Sequence, residues 1–239
     1  MKIVKVKNYE EMSKRACSII LEKVNSVENP VLGLATGSTP EGLYKYIIDA
    51  YKQNEVSFKD VTTFNLDEYI GLDKHNVNSY YTYMKEKLFK HLDIRPENYH
   101  LPNGSADDIK KECEQYEKLI EQAGHIDIQV LGIGVNGHIG FNEPGTPFTS
   151  RTHVVDLAES TRLANARFFD TLADVPTQAI TMGIETIMES KTILLLVSGE
   201  QKAEALARLL DGPVSEDVPA SILMEHPNVI VIADEAAWQ

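Results

Sequence analysis

An α/β fold, with a mainly parallel sheet covered by helices on both faces, is what this sequence predicts. Two observations carry that expectation. Short apolar runs alternate with helix-like amphipathic stretches along the whole chain, and strands that alternate with helices build parallel sheets covered on both sides. No internal repeat, low-complexity tract or linker interrupts the alternation. Residues 1–239 are therefore expected to form a single doubly wound domain.

Each element has its own signal. Residues 3–6 read as a short strand and residues 9–24 as an amphipathic helix; residues 31–35 are a short apolar strand. Residues 40–51 follow as a helix with Pro40 in its first turn, so Ser38 or Thr39 is expected to cap it. Residues 61–66 are strand-like, residues 79–89 and 107–122 helical, and residues 126–132 the central strand. Residues 178–182, 192–198 and 229–233 are three further apolar strands, with helices over 200–210 and around 220–224 between the last of them.

Composition bounds the function. The chain has 239 residues, 43% of them apolar, enough for a sizeable core. Its apolar runs are far shorter than a membrane span, and the N-terminus lacks the apolar stretch of a secretory signal. Cys17 and Cys113, both in helix-like segments, are expected as reduced thiols, which points to a cytoplasmic protein. A net charge of −13 argues against nucleic-acid or membrane-surface partners. An anionic small molecule would have to be met locally, by backbone amides and a few placed cations.

The most informative stretch is Leu131-Gly-Ile-Gly-Val-Asn-Gly-His-Ile-Gly-Phe-Asn-Glu-Pro-Gly145, where five glycines follow the central strand. Such a loop lets backbone approach a ligand, and it carries an imidazole, His138, and a carboxylate, Glu143. Gly132, Gly134 and Gly137 literally fit the dinucleotide fingerprint, and Asp156 falls near the distance of a ribose-binding acid. That fingerprint needs a helix to open at its third glycine, and Pro144 and Pro147 interrupt the next turns. No nicotinamide or flavin is expected.

Three further signals surround this loop. Leu32-Gly-Leu-Ala-Thr-Gly-Ser-Thr-Pro40 runs from a strand through a loop into a helix start. Free amides, helix dipole and the hydroxyls of Thr36, Ser38 and Thr39 around Gly37 make an anion site there. It is not a Walker loop, because no lysine follows Gly37. Lys202, after Ser198-Gly199, and Arg167, in Asn165-Ala-Arg-Phe-Phe169, are candidate cations, although such residues are more often solvated surface. In Phe64-Asn-Leu-Asp-Glu-Tyr-Ile-Gly-Leu72 the adjacent acids Asp67 and Glu68 point to opposite sides of extended chain. One of them can enter a crevice while the other serves as a turn or helix cap. A catalytic metal is not expected, since no second His or Cys completes a site with His138 and Glu143.

Taken in order, Gly-Leu-Ala-Thr-Gly-Ser-Thr-Pro, Phe-Asn-Leu-Asp-Glu-Tyr, Gly-Val-Asn-Gly-His-Ile-Gly-Phe-Asn-Glu-Pro and Asn-Ala-Arg-Phe-Phe resemble the glucosamine-6-phosphate deaminase family over nearly the whole chain. The resemblance implies a modified Rossmann-like fold shared with ribose-5-phosphate isomerase and 6-phosphogluconolactonase. It also implies conversion of glucosamine 6-phosphate and water to fructose 6-phosphate and ammonium, without metal or organic cofactor. By the same resemblance His138 opens the sugar ring, Glu143 orients the imidazole and stabilises its cation, and Asp67 moves a proton from C2 to C1. Thr36, Gly37, Ser38, Thr39, Arg167 and Lys202 match the phosphate clamp.

One position departs from the pattern. Many relatives have an aspartate where this chain has Asn136. An amide carbonyl can still fix the ring tautomer, but it supplies no negative charge. Two alternatives remain: a sugar-phosphate lactonase of the same fold, and a non-catalytic sugar-phosphate sensor of the kind fused to DNA-binding domains. No helix-turn-helix segment precedes the fold and every catalytic position except Asn136 holds the preferred residue, which argues against the sensor. In hexameric relatives an effector phosphate is held by basic residues after the Asn-Glu-Pro loop. Here the matching Ser150-Arg-Thr-His-Val-Val-Asp156 keeps only Arg151 and His153, and the chain stops soon after its last strand. A monomer or small homo-oligomer with hyperbolic kinetics is therefore expected.

Overall fold

A computed structural model describes residues 1–166, 169 and 171–238. Its strands, in chain order, are β1 (Lys2–Val6), β2 (Val31–Leu34), β3 (Thr62–Asn65), β4 (Asp67–Tyr69), β5 (Tyr99–His100), β6 (Ile128–Gly132), β7 (His153–Asp156), β8 (Gln178–Thr181), β9 (Ile193–Val197) and β10 (Val229–Asp234). Seven of them form one parallel sheet in the order β1-β10-β9-β6-β2-β3-β5. Continuous apolar strands suit its centre because both faces are covered: Leu194 and Leu196 of β9 point to one side, Ile193, Leu195 and Val197 to the other.

Helices α1 (Tyr9–Ser26) and α2 (Glu41–Lys52) cover the first face with Met12, Ala16, Ile20, Leu43, Tyr44 and Ile47. Helices α3 (Tyr80–Lys87) and α4 (Ile109–Gln122) begin at Ser79 and Asp108, whose side chains accept the amides of Thr82 and Lys111 at 3.0 Å. Tyr116 and Ile120 of α4 cover the second face beside Ala205, Leu206 and Leu209 of a later helix, residues 203–211. The expected cap of α2 does not form. Pro40 itself stands at the N-cap position with no side-chain hydrogen bond, so the hydroxyls of Ser38 and Thr39 are not engaged there.

Residues 178–182 do not join the other apolar strands, as their composition suggests they would. Their strand β8 instead pairs antiparallel with β4 and β7 in a separate three-stranded sheet. Two short helices near this sheet, α5 (Glu159–Asn165) and α6 (Ile184–Met188), carry no sequence signal of their own. The last α-helix, α7 (Ala203–Asp211), is preceded by a 3₁₀ turn over Glu200–Lys202, and the expected helix around 220–224 is a 3₁₀ helix over Pro219–Glu225.

The strand order reverses at β2. The chain passes from β2 to β3 and β5 on one side, then returns to lay β6, β9 and β10 on the other. A crevice opens where neighbouring connections leave in opposite directions, beyond the carboxyl ends of β2 and β6.

Candidate active site

The loops that leave β2, β3 and β6 line this crevice, which encloses about 390 Å³. After β2 come Thr36, Gly37, Ser38 and Thr39; after β3, at the first position of β4, Asp67; after β6, Gly134, Asn136 and His138. Tyr80, Phe141, Thr161 and Lys202 complete the wall.

Asp67 and Glu68 divide their tasks as extended chain requires. Glu68 turns away from the crevice and accepts the amides of Tyr69, Tyr80 and Tyr81, each at 2.9 Å, fastening the first turn of α3. Burial still pushes its carboxyl above the usual range, against those three bonds. Asp67 faces the crevice, is only 6% exposed, and has no hydrogen-bonded partner among the described residues to offset burial. Burial, with a smaller contribution from the Glu68 charge, pushes its pKa up to about 8. A buried carboxylate free of hydrogen bonds is a stronger base than an exposed one.

The small sheet ties Asp67 to the His138 loop. Asp67 pairs with Thr181 across β4 and β8, and the Thr181 hydroxyl accepts the Phe141 amide at 3.1 Å. In the loop, the Gly137 amide returns to the Gly134 carbonyl at 3.0 Å and the Gly134 amide to that of His138 at 2.8 Å. The tight turn lays the imidazole on Gly134, where a Cβ would coincide with the ring. Only glycine leaves that space.

Hydrogen bonding fixes the imidazole tautomer. Glu143 when ionised can only accept, and it takes the Asn136 Nδ2 hydrogen at 2.6 Å. The Asn136 carbonyl oxygen therefore faces the ring and lies 2.8 Å from His138 Nδ1. Nδ1 must be the donor, which leaves Nε2 as the acceptor of a neutral ring. Glu143 Oε2 also stands 3.3 Å from Nδ1, and its Oε1 accepts from the Thr161 hydroxyl at 3.2 Å. Burial pushes the Glu143 carboxyl up, but its bonds with His138, Asn136 and Thr161 together hold it below the usual range.

Lys202 reaches the crevice from the turn that follows β9. Gly199 takes φ 96°, and Asp234 pins the turn by accepting the Ser198 hydroxyl at 2.5 Å and the Gly199 amide at 3.1 Å. Burial lowers the Lys202 pKa. Arg167 lies outside the described residues. Tyr80 and Thr161 line the site without standing out in the sequence, because each acts through a partner distant in the chain. Among the described residues no group of three or more His, Cys, Asp or Glu is placed to hold a metal, and no helix is long and apolar enough to cross a membrane.

Comparison with known proteins finds likenesses over nearly the whole chain. Residues 7–232 match the family model described as glucosamine-6-phosphate isomerases/6-phosphogluconolactonase. A glucosamine-6-phosphate deaminase of Oceanobacillus iheyensis is 62% identical over 239 residues, covering 100% of this chain and 96% of the relative. Glucosamine-6-phosphate deaminase 1 of Bacillus subtilis is 52% identical and covers 99% of this chain and 98% of its own. A solved structure of a monomeric glucosamine-6-phosphate deaminase superposes with a TM-score of 0.97 at 52% identity, covering 99% of this chain and 98% of that one. The 6-phosphogluconolactonase of Thermotoga maritima shares the fold, with a TM-score of 0.77 at 20% identity over 98% of this chain and 99% of its own.

Proposed function

Because the chain belongs to the family of glucosamine-6-phosphate isomerases and 6-phosphogluconolactonases, we propose that its crevice isomerises and deaminates an amino-sugar phosphate with the residues that line it. The chain converts glucosamine 6-phosphate and water to fructose 6-phosphate and ammonium. In class it is a hydrolase of a carbon–nitrogen bond. Reduced, buried Cys17 and Cys113 fit a cytoplasmic location.

The steps follow from the geometry. The phosphate sits against the Thr36–Thr39 amides and hydroxyls with Lys202 and Arg167 as cations, which answers the repulsive net charge locally. His138 Nε2 takes the anomeric hydroxyl proton and returns it to the ring oxygen, opening the pyranose. The transient imidazolium is stabilised through Nδ1 by the Asn136 carbonyl and by Glu143, whose charge is the nearer counter-ion. Asp67 then removes the C2 proton, giving an enolamine, and delivers it to C1. Water adds to the resulting C2 imine, the carbon–nitrogen bond breaks, and ammonium leaves a C2 ketone.

The single observation that carries this reading is the buried, unbonded Asp67 in the same crevice as the tautomer-fixed His138. Lactone hydrolysis needs no base at carbon. A coupled assay for ammonium and fructose 6-phosphate tests the assignment: equimolar products are expected from glucosamine 6-phosphate, and no hydrolysis of 6-phosphogluconolactone above the uncatalysed rate. Lactone turnover without ammonium release would assign the crevice to the other branch.

The relative described as monomeric supports a monomer here as well. Arg151, which with His153 is the basic group left in the 150–156 stretch, is already held by Glu117 at 2.7 Å, Glu189 at 2.6 Å and Glu185 at 3.7 Å. His153 Nδ1 lies 2.7 Å from the Arg151 carbonyl. Saturation is accordingly hyperbolic.

A further inference from the structure

The loop from Ala35 to Thr39 has its hydrogen bonds divided in an unusual way. The amides of Thr36, Gly37, Ser38 and Thr39 meet no acceptor among the described residues. Four of its five carbonyls, by contrast, those of Ala35, Gly37, Ser38 and Thr39, are taken up by tyrosines. Tyr44 of α2 donates to the Ala35 carbonyl at 2.5 Å and Tyr83 of α3 to the Gly37 carbonyl at 2.6 Å. Tyr9 of α1 shares its hydroxyl hydrogen between the carbonyls of Ser38 at 2.9 Å and Thr39 at 3.1 Å, while its oxygen accepts the Gly42 amide at 2.8 Å.

A peptide unit is planar, with its N–H opposite its C=O. Holding a carbonyl therefore aims the amide of the next residue. Tyr44 sets the Thr36 amide, Tyr83 the Ser38 amide and Tyr9 the Thr39 amide. Gly37, at φ 88°, lets the chain turn so that these planes can be set independently. Carbonyl oxygens facing a doubly charged phosphate would repel it, and the three tyrosines together remove four from that role. Tyr44 is fully buried, whereas Tyr9 and Tyr83 are half-buried at the rim.

We propose that Tyr9, Tyr44 and Tyr83 are positioning residues for phosphate binding: their hydroxyls turn the carbonyls of the 35–39 loop outward and leave its amides as a preset anion nest. The inference rests on the assignment of this loop to the substrate phosphate. It predicts that phosphate affinity depends on three hydroxyls that do not contact the phosphate.

The test uses Tyr83→Phe and Tyr9→Phe, which delete a hydroxyl and keep the ring. A lost hydrogen bond of this kind changes affinity about 3- to 10-fold. Each variant should raise the KM for glucosamine 6-phosphate and the inhibition constant of inorganic phosphate by that same factor, with the larger effect on KM than on kcat. The double variant should approach the product of the two factors, and circular dichroism should report a native fold. Unchanged phosphate inhibition in folded Tyr83→Phe, or a loss confined to kcat, would overturn the inference. Should Tyr9→Phe fail to fold, Tyr83→Phe alone decides. Lys202→Ala separates the two levels of the argument. If it weakens phosphate inhibition while the tyrosine variants do not, only the tyrosine role falls. If phosphate inhibition survives in all of them, the phosphate assignment falls.

Discussion

Asp67 carries two opposite consequences of burial. Its pKa of about 8 means that the basic form needed at C2 fills as pH rises. kcat/KM, which reports ionisations of the free enzyme, should therefore climb through about pH 8; a flat profile between about pH 6 and 9 would remove Asp67 from that role. Stability moves the other way. A carboxyl whose folded pKa is raised contributes stability that is complete below the unfolded value, about 3.9, and is lost as pH rises through the folded value. Asp67→Asn should unfold at higher temperature than the wild type at pH 9, with the difference vanishing towards pH 4. Each tenfold difference in proton affinity between folded and unfolded chain corresponds to about 1.4 kcal/mol. Equal melting curves at both pH values would contradict the burial argument. Lys202, as the proposed phosphate cation, is expected to act on binding alone. Its removal should cost roughly 1.5–3 kcal/mol, the value of a charge-assisted bond, read as an increase of about 10- to 150-fold in KM.

Elements hold these side chains where single residues could not. The 134–138 turn places the imidazole on bare backbone, so Gly134→Ala must displace the ring that Asn136 and Glu143 orient. Misplacement by about 1 Å can cost on the order of 100-fold in rate. A comparable loss of kcat with a retained fold is expected, and near-normal kcat would show that the ring has another place to sit. Glu68→Gln tests the other acid: its amide oxygen can keep the Tyr69 and Tyr80 amides, but its NH2 faces the Tyr81 amide, and the lost charge-assisted bond should lower stability by roughly 1.5–3 kcal/mol, measured by urea unfolding.

The fold is legible in the sequence where signal is local. The apolar runs of β2, β6, β9 and β10 and the glycine loop after β6 can be read directly. The small sheet cannot, because β4 is three residues long and its partner β8 lies more than a hundred positions away, joined by register rather than by period. The α2 cap departs from expectation because Pro40 takes the N-cap position that a hydroxyl residue before it would ordinarily fill. In the site, Asp67, Asn136, His138 and the 36–39 loop come together in one crevice. Thr161 and the three tyrosines have no local signal, since each contributes one hydroxyl across the fold.

At the scale of the molecule, a net charge of −13 coexists with an anionic substrate. On the proposed assignment of the phosphate, the opposing field would be met by the amides at the switch point and by Lys202 rather than by a basic surface. Arg151 is paired with three glutamates, which supports the expectation that no effector favours one global state through it. N-acetylglucosamine 6-phosphate should leave the saturation curve hyperbolic and unshifted; sigmoidal kinetics relieved by it would contradict this. The central claim is that a buried carboxylate in this crevice moves the C2 proton. The most direct measurement is ammonium release by Asp67→Asn at saturating glucosamine 6-phosphate, alongside its phosphate inhibition constant. The account predicts turnover reduced about 100- to 10,000-fold, the usual loss for a positioned general base, with phosphate inhibition unchanged. Turnover within about tenfold of the wild type would place the base elsewhere.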